Sequence, residues 1–383
     1  MFPTVRKATD AGYPKLLGSC LAEDGRVRCD MASVDIQAAE RVVRVCSEHD
    51  DALALRIALV SELRRSVPFD AFAWLLTDPE TEVGAAPLAD VPWPWLSDLP
   101  MQIKLKYLTS VNRWTHMETP VALLREATSD HREHSLVWRD LLAAHHVGDA
   151  ASVVFRDQYG CWAFLELWRS GPTSRFTPAE ANFLSGVSGV ITHTLRRCQA
   201  RLFETGASEP GNRSGPVVLV LSPDLEVRAQ TPETERYLAL LVPPDPGRHP
   251  VPAGAYNVAA QLLATEAGVD HHPPIARVHL AKGVWLTLRA SRIGGLVPMT
   301  DRDIAVTIES TSPAERLELY IRVCGLSSRE AELLKHLATG ADTRNIACAM
   351  HLSEHTIQDH LKSIFTKCHV RNRRTLLTRA LGR

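Results

Sequence analysis

The 383-residue sequence has little aromatic content (6%), a formal net charge of only −1, and no long apolar run. Stretches such as Val217 to Leu221 fall far short of the ~18 apolar residues a membrane-spanning helix needs, so no membrane partner is expected. Met1 to Asp10 lack the apolar core of a signal peptide, and a cytoplasmic product is expected. The eight cysteines (Cys20, Cys29, Cys46, Cys161, Cys198, Cys324, Cys348, Cys368) are scattered and contain no C-x-x-C pair. A zinc ribbon or disulfide framework is therefore not expected, and reduced thiols are the plain expectation. The rest is ordinary globular material, 45% hydrophobic and 23% charged with 24 prolines, enough for two to four domains.

The near-zero charge hides an asymmetry. From Leu326 onward ten basic residues face five acidic ones, a balance of +5, so the preceding 325 residues carry −6. A small basic module on a larger acidic body suggests a polyanion-binding end, although a basic terminus is also often only a solvated surface.

Residues 1–31 have little periodicity and read as a loose arm. From Ala32 to Ser66 apolar residues recur at helical spacings. Phe69 to Leu76 reads as a strand, as do Ala151 to Arg156 and Cys161 to Arg169, joined by a turn at Gly160. Thr177, Pro178 and Glu180 form a capping box opening a long helix to about Phe203. Residues 205–215 are a linker by composition. Val217 to Leu221 and Glu226 to Ala229 read as strand and return. Helices are expected at Pro232 to Leu241 and Tyr256 to Ala267, separated by a proline-rich loop. Ala276 to Leu280, Val284 to Ser291 and Asp303 to Glu309 follow as strands. Nothing in these two regions repeats at a fixed period, so a solenoid is ruled out.

The last 58 residues carry the strongest signal. Ser327 to Glu330 is a capping box, followed by Leu333, Leu334 and Leu337 on one helix face and a stop at Gly340. Thr343 to Met350 is a short helix, Ser353 caps a third over Glu354 to Lys367, and Arg371 to Leu381 is a fourth. Two short helices across a tight turn, the second polar on its outer face, make a helix-turn-helix. The segment resembles the LuxR-type helix-turn-helix through Leu326, Ser327, Arg329, Glu330, Gly340, Ile346, Ala347, Leu352, Ser353, Thr356, Ile357, His360, Lys367, Val370 and Arg373. One departure is Gln358, then Asp359, where the family usually has lysine after its Thr-Val pair. The resemblance implies double-stranded DNA as partner, read as a homodimer, with RNA polymerase as a further partner and an altered base preference. Independently of it, Gln358 suits adenine, Asp359 a cytosine amine and Lys362 guanine in the major groove. Thr343, Arg344, Lys367, Arg371 and Arg373 are placed as phosphate contacts, with Ser353 and Thr356 at the start of the recognition helix. The resemblance also implies a dimer contact on the last helix, at Leu376, Leu377 and Ala380, with Leu317, Tyr320, Ile321 and Val323 of Pro313 to Val323 and the long helix before Phe203 as further candidates for larger contacts.

Upstream, Val137 to Leu142, Arg156-Asp157, Cys161-Trp162, Arg169 and Arg175 to Glu180 resemble a GAF domain. Residues 216–312 resemble a PAS domain, from the strand ending in Leu221-Ser-Pro-Asp224 to the paired long strands. The expected fold class is thus α+β multidomain: two antiparallel-sheet sensor domains with helices on one side, plus an all-α four-helix tail. The expected limits are 32–204 for the GAF-like domain, 313–325 for a connecting helix and 326–383 for the DNA-binding domain. Both sensor families imply a small-molecule effector. Trp74, Trp138, Phe155, Trp162 and Phe164 are candidates to line its pocket, or equally to be ordinary core. No P-loop, Gly-x-Gly-x-x-Gly or nucleophile elbow appears, so no enzyme is expected. Asp130-His131-x-x-His134 and His145-His146 lack a completing ligand set, and neither metal nor cofactor is expected. The reading is a ligand-responsive transcriptional regulator. Its rival is a GAF/PAS signalling enzyme or protein-interaction sensor with an accessory helix-turn-helix tail.

Overall fold

A computed structural model describes residues 33–92, 95, 97–204, 217–241, 252–280, 284–294 and 298–382. The loose arm and the 205–215 linker expected from sequence lie outside these residues. The helical stretch from Ala32 to Ser66 is two helices, α1 (Ser33–Glu48) and α2 (Ala52–Ser66). Asp51 separates them: its carboxylate accepts from the amides of Leu53 and Ala54 and caps α2, an interruption that apolar spacing does not reveal.

Strands β1 (Ala71–Thr77), β2 (Gly84–Asp90), β3 (Val121–Leu123), β4 (Val147–Asp157) and β5 (Gly160–Ser170) form one antiparallel sheet in the order β2-β1-β5-β4-β3. Sequence reading missed β2 and β3, which are short and carry Pro87 or only three residues. Helices α3 (Leu99–Leu108) and α4 (Leu124–Ala127) also lie within this region. The long α5 (Pro178–Arg201) has the expected capping box between Thr177 and Glu180. It packs with α1 and α2 over Trp74, Ala151, Val153, Phe155, Leu165 and Leu167. The opposite face meets Tyr107 of α3 and Trp114 through Phe164 and Val154. This sheet is buried on both faces, a correction to the expectation of helices on one side only.

A bulge matters here. Phe155 pairs with Ala163 but Arg156 pairs with Cys161, so Trp162 is an extra residue in β5. It turns Trp162 and Ala163 to the same, helix-covered side, whereas simple alternation would place Trp162 with Phe164.

After β6 (Val218–Leu221), β7 (Val227–Gln230), α6 (Pro232–Leu241) and α7 (Ala253–Glu266) come β8 (Ile275–His279), β9 (Trp285–Arg292) and β10 (Ile304–Ser310). They form a second antiparallel sheet, ordered β7-β6-β10-β9-β8. One face is apolar through Ala276, Leu286, Leu288, Ile304, Val306 and Ile308. Helix α7, nearly all buried, fills the space between this sheet and α3 with β2 of the first.

The polar face of the second sheet takes α8 (Pro313–Val323), whose start is locked by a capping box between Ser312 and Glu315. Arg277 of β8, buried, makes a two-pronged ion pair with the fully buried Asp78 at the end of β1. The distances are 2.6 Å from Nε and 2.7 Å from Nη2, and Nη2 also reaches Glu80 at 2.7 Å. Glu80 in turn meets Arg322 of α8 at 3.4 Å. Phe203, just past α5, sits between Trp285 and Tyr320 with the rings tilted against it, their centres 4.9 and 5.2 Å away. The chain ends in α9 (Ser328–Ala338), α10 (Thr343–Met350), α11 (Glu354–Lys367) and α12 (Arg373–Leu381). Leu317, Tyr320, Leu333, Leu337, Ile346, Ile357, Ile364 and Leu376 belong to one continuous core with the helix side of the first sheet.

Candidate nucleic-acid interface

Each helix of the tail has its cap written into the sequence. Ser327 and Glu330 box α9, Asp342 accepts from the Asn345 amide at 2.8 Å to start α10, and Ser353 accepts from the Thr356 amide at 3.0 Å to start α11. Between α10 and α11 the chain turns at His351, which adopts a left-handed conformation (φ 54°) more usual for glycine. Ile357, Leu361 and Ile364 face inward, and that fixes what α11 offers outside: Gln358, Asp359 and Lys362 all stand exposed.

Those three are brought to one surface with Ser353 at its start, Thr356 half-buried beside it. Asp359 is held between Lys362 Nζ (3.1 Å) and His355 Nε2 (3.5 Å). The Lys362 hydrogen bond lowers the Asp359 carboxyl below its ordinary pKa. Sequence reading missed His355, whose signal is its spacing of four residues before Asp359 on one helix face. Arg344 and Arg371 are exposed at the unit's rim, with Thr343 half-buried in the first turn of α10.

Two of the expected phosphate contacts are engaged internally instead. Lys367 Nζ lies 2.6 Å from Oε2 of Glu330, a side chain only 4% exposed. The same carboxylate accepts from Ser363 Oγ at 2.6 Å and from the Ser327 amide at 2.7 Å. Burial pushes the Glu330 carboxyl up, but these bonds outweigh it and hold its pKa at about 2. Lys367 therefore pins α11 to α9. Arg373 donates from Nη2 to the Ala341 carbonyl.

The expected dimer contact divides as well. Leu376 and Ala380 are fully buried inside the chain, α12 packing along α8, and Arg316 of α8 donates to the Arg379 carbonyl at 3.2 Å. Leu377 lies on the other side, lining an open groove of ≈ 530 Å³ with Arg373, Arg374, Thr378 and Leu381.

The five expected pocket residues do not line one space. Trp74 and Phe155 stack at 5.3 Å on the helix side of the first sheet, where Trp162, fully buried, donates from Nε1 to Asp157 at 3.0 Å. Phe164 lies on the opposite face, stacked on Trp114 at 4.7 Å. Trp138 is half-buried in a third cluster, its Nε1 donating to the Val147 carbonyl at 2.9 Å. The Phe164 face also holds a buried polar group that sequence patterning did not find. Lys106 and Glu166 pair at 3.0 Å, Ser152 bonds both at 3.0 Å, and Trp114 Nε1 donates to Glu166 at 3.0 Å.

Comparison with known proteins bears on the tail. Residues 325–380 match the model of the bacterial regulatory proteins, luxR family. Over 57 residues the chain is 42% identical to the probable HTH-type transcriptional regulator GfsR of Streptomyces halstedii, covering 15% of this chain and 24% of that protein. The chain thus spans about a quarter of that relative's length. Among solved structures, Escherichia coli SdiA is 11% identical with a TM-score of 0.34, covering 90% of this chain and 96% of that one. The bacteriophytochrome RpBphP3 of R. palustris is 14% identical with a TM-score of 0.32, covering 74% and 63%. The capped four-helix unit at the C-terminal end is a luxR-family helix-turn-helix domain.

Proposed function

We propose that the chain is a DNA-binding transcriptional regulator that reads a paired operator as a homodimer, its two sheet regions acting as GAF-like and PAS-like sensors for a small-molecule effector. The observation that carries this reading is the exposed α11 face of Gln358, Asp359 and Lys362 in a unit matching the luxR family. A side chain of that length on a helix of that width fits the major groove, with Arg344 and Arg371 at phosphates. The continuous core between the first sheet and the tail supports effector control, because a ligand can act only by favouring one arrangement over another. The test is mapping of DNA bound by the intact chain in cells, followed by titration of the recovered sites. Specific sites that Gln358→Ala re-ranks are expected; binding without any preferred sequence overturns the reading.

A further inference from the structure

Seven large apolar side chains stand exposed among the described residues, and four of them fall on two adjacent helices. Ile36 and Val43 of α1 and Leu53 and Ile57 of α2 are each about half exposed, at 47, 49, 50 and 53%. Single exposed apolar residues are ordinary; a group of them at helical spacing is not. The inner faces of the two helices, Ala38, Val42 and Cys46 in α1 and Leu55, Leu59 and Leu63 in α2, share one core. Spacings of three and four residues set Ile36, Glu40, Val43 and Ser47 along the outer side of α1, and Leu53, Ile57 and Ser61 along the outer side of α2. Arg41 of α1 pairs with Glu62 of α2 at 3.1 Å and fixes the helices against each other. Arg44 stands exposed beside the α1 stripe, one turn after Glu40, and neither charge has an ion partner among the described residues.

Resting on the homodimer reading, we propose that the outer face of α1 and α2 is where two copies of this chain meet. The side chains expected from sequence to do so are mostly occupied. Leu376 and Ala380 are buried against α8, and Leu317, Tyr320, Ile321 and Val323 of α8 are buried inside the chain. Leu377 shares its groove with Arg373 and Arg374, so a twofold contact there would bring like charges of both copies together. The charges on α1 have the opposite property. In a twofold contact residue i of one copy meets residue j of the other, and j meets i. Two α1 helices crossing antiparallel between residues 40 and 44 set Glu40 of each copy opposite Arg44 of the other, with both Val43 side chains covered between them. Leu53 and Ile57 extend the covered apolar surface onto α2. The two stripes hold fewer residues than the roughly 20–30 a side of a standard interface, so the dimer is a concentration-dependent one that paired half-sites on DNA complete.

The test is sedimentation equilibrium of the intact chain over a range of concentrations, alone and with the DNA recovered from cells, beside thermal melts. The wild-type chain should approach the mass of two chains as concentration rises. Val43→Asp and Ile57→Asp, at exposed positions, should each weaken self-association by about tenfold or more with little change in melting, because the twofold places every substitution in the contact twice. Glu40→Arg should weaken it too, and adding Arg44→Glu should restore it, a rescue of association that a pair acting only within one helix would not give. A dimer that ignores Val43→Asp and Ile57→Asp, or a Glu40→Arg defect that Arg44→Glu leaves unrepaired, would overturn this face and leave the homodimer reading in place. A chain that stays monomeric at every concentration, with and without DNA, would overturn both.

Discussion

The two sheets share a strand order, second-first-fifth-fourth-third, but are covered differently. The first is buried on both faces and keeps its charges as internal pairs such as Lys106 with Glu166. The second is apolar on one face and polar on the other, and the polar face, with Arg277, His279 and Arg289, receives the helix that leads to the DNA-binding unit. A doubly covered sheet holds a rigid core. A sheet with one polar face can instead hold a neighbour through ion pairs and hydrogen bonds, which bind directionally and, once buried, cost most when only one partner is removed.

The sharpest way to break this comparison is at the buried pair between the sheets. Arg277→Ala leaves Asp78 buried without its partner and should destabilise the chain by about 3–5 kcal/mol, read by urea unfolding. Replacing both, Arg277→Met with Asp78→Leu, should recover much of that loss. An unchanged midpoint in Arg277→Ala would show that the two sheets hold together without it. Within the tail, Lys367→Ala should cost about 1–3 kcal/mol of stability by freeing Glu330, with Glu330→Gln producing a similar shift. A purely phosphate-binding Lys367 would leave the melt unaltered and weaken all DNA alike.

A third test separates the faces by pH. Burial lowers the pKa of His279, on the polar face, to about 4 from an ordinary value near 6.5. The native chain therefore keeps this imidazole neutral where the unfolded chain protonates it. Its contribution to stability is complete above pH ~6.5 and is lost as pH falls from there toward about 4. His279→Phe should flatten that part of the stability profile, measured by thermal melts across pH 4–7. The smallest effects belong to exposed positions. Gln358→Ala should alter discrimination at one base pair by ~1–3 kcal/mol with no change in melting. Arg371→Ala should reduce the log–log salt dependence by about one phosphate's worth.

The tail was the most legible part because its capping residues and apolar spacing are local. Ser327, Asp342 and Ser353 announce helix starts before any tertiary contact is known. What stayed hidden depends on distant partners. Glu330 reads as half of a capping box, and only the fold shows that it also holds Lys367 and Ser363. Leu376 and Ala380 look like a free apolar stripe until α8 is seen to cover them. Trp162 shows a third reason: one extra residue in β5 reverses the side on which it stands, and strand alternation cannot register an insertion of one. The common order of the two sheets was likewise invisible, since topology can recur without any repeat in sequence.

The spacing between β10 and α8 has a mechanical consequence. The strand ends at Ser310 and the helix begins at Pro313, with Glu315 tied both to Ser312 and to Arg289 of β9. There is almost no slack, so a tilt of the second sheet becomes a tilt of α8. At about 1.5 Å per residue, its 11 residues make a lever arm of about 16 Å. A rotation of about 10° at the sheet moves the far end by about 3 Å, close to the ~3.4 Å rise between base pairs along a DNA strand.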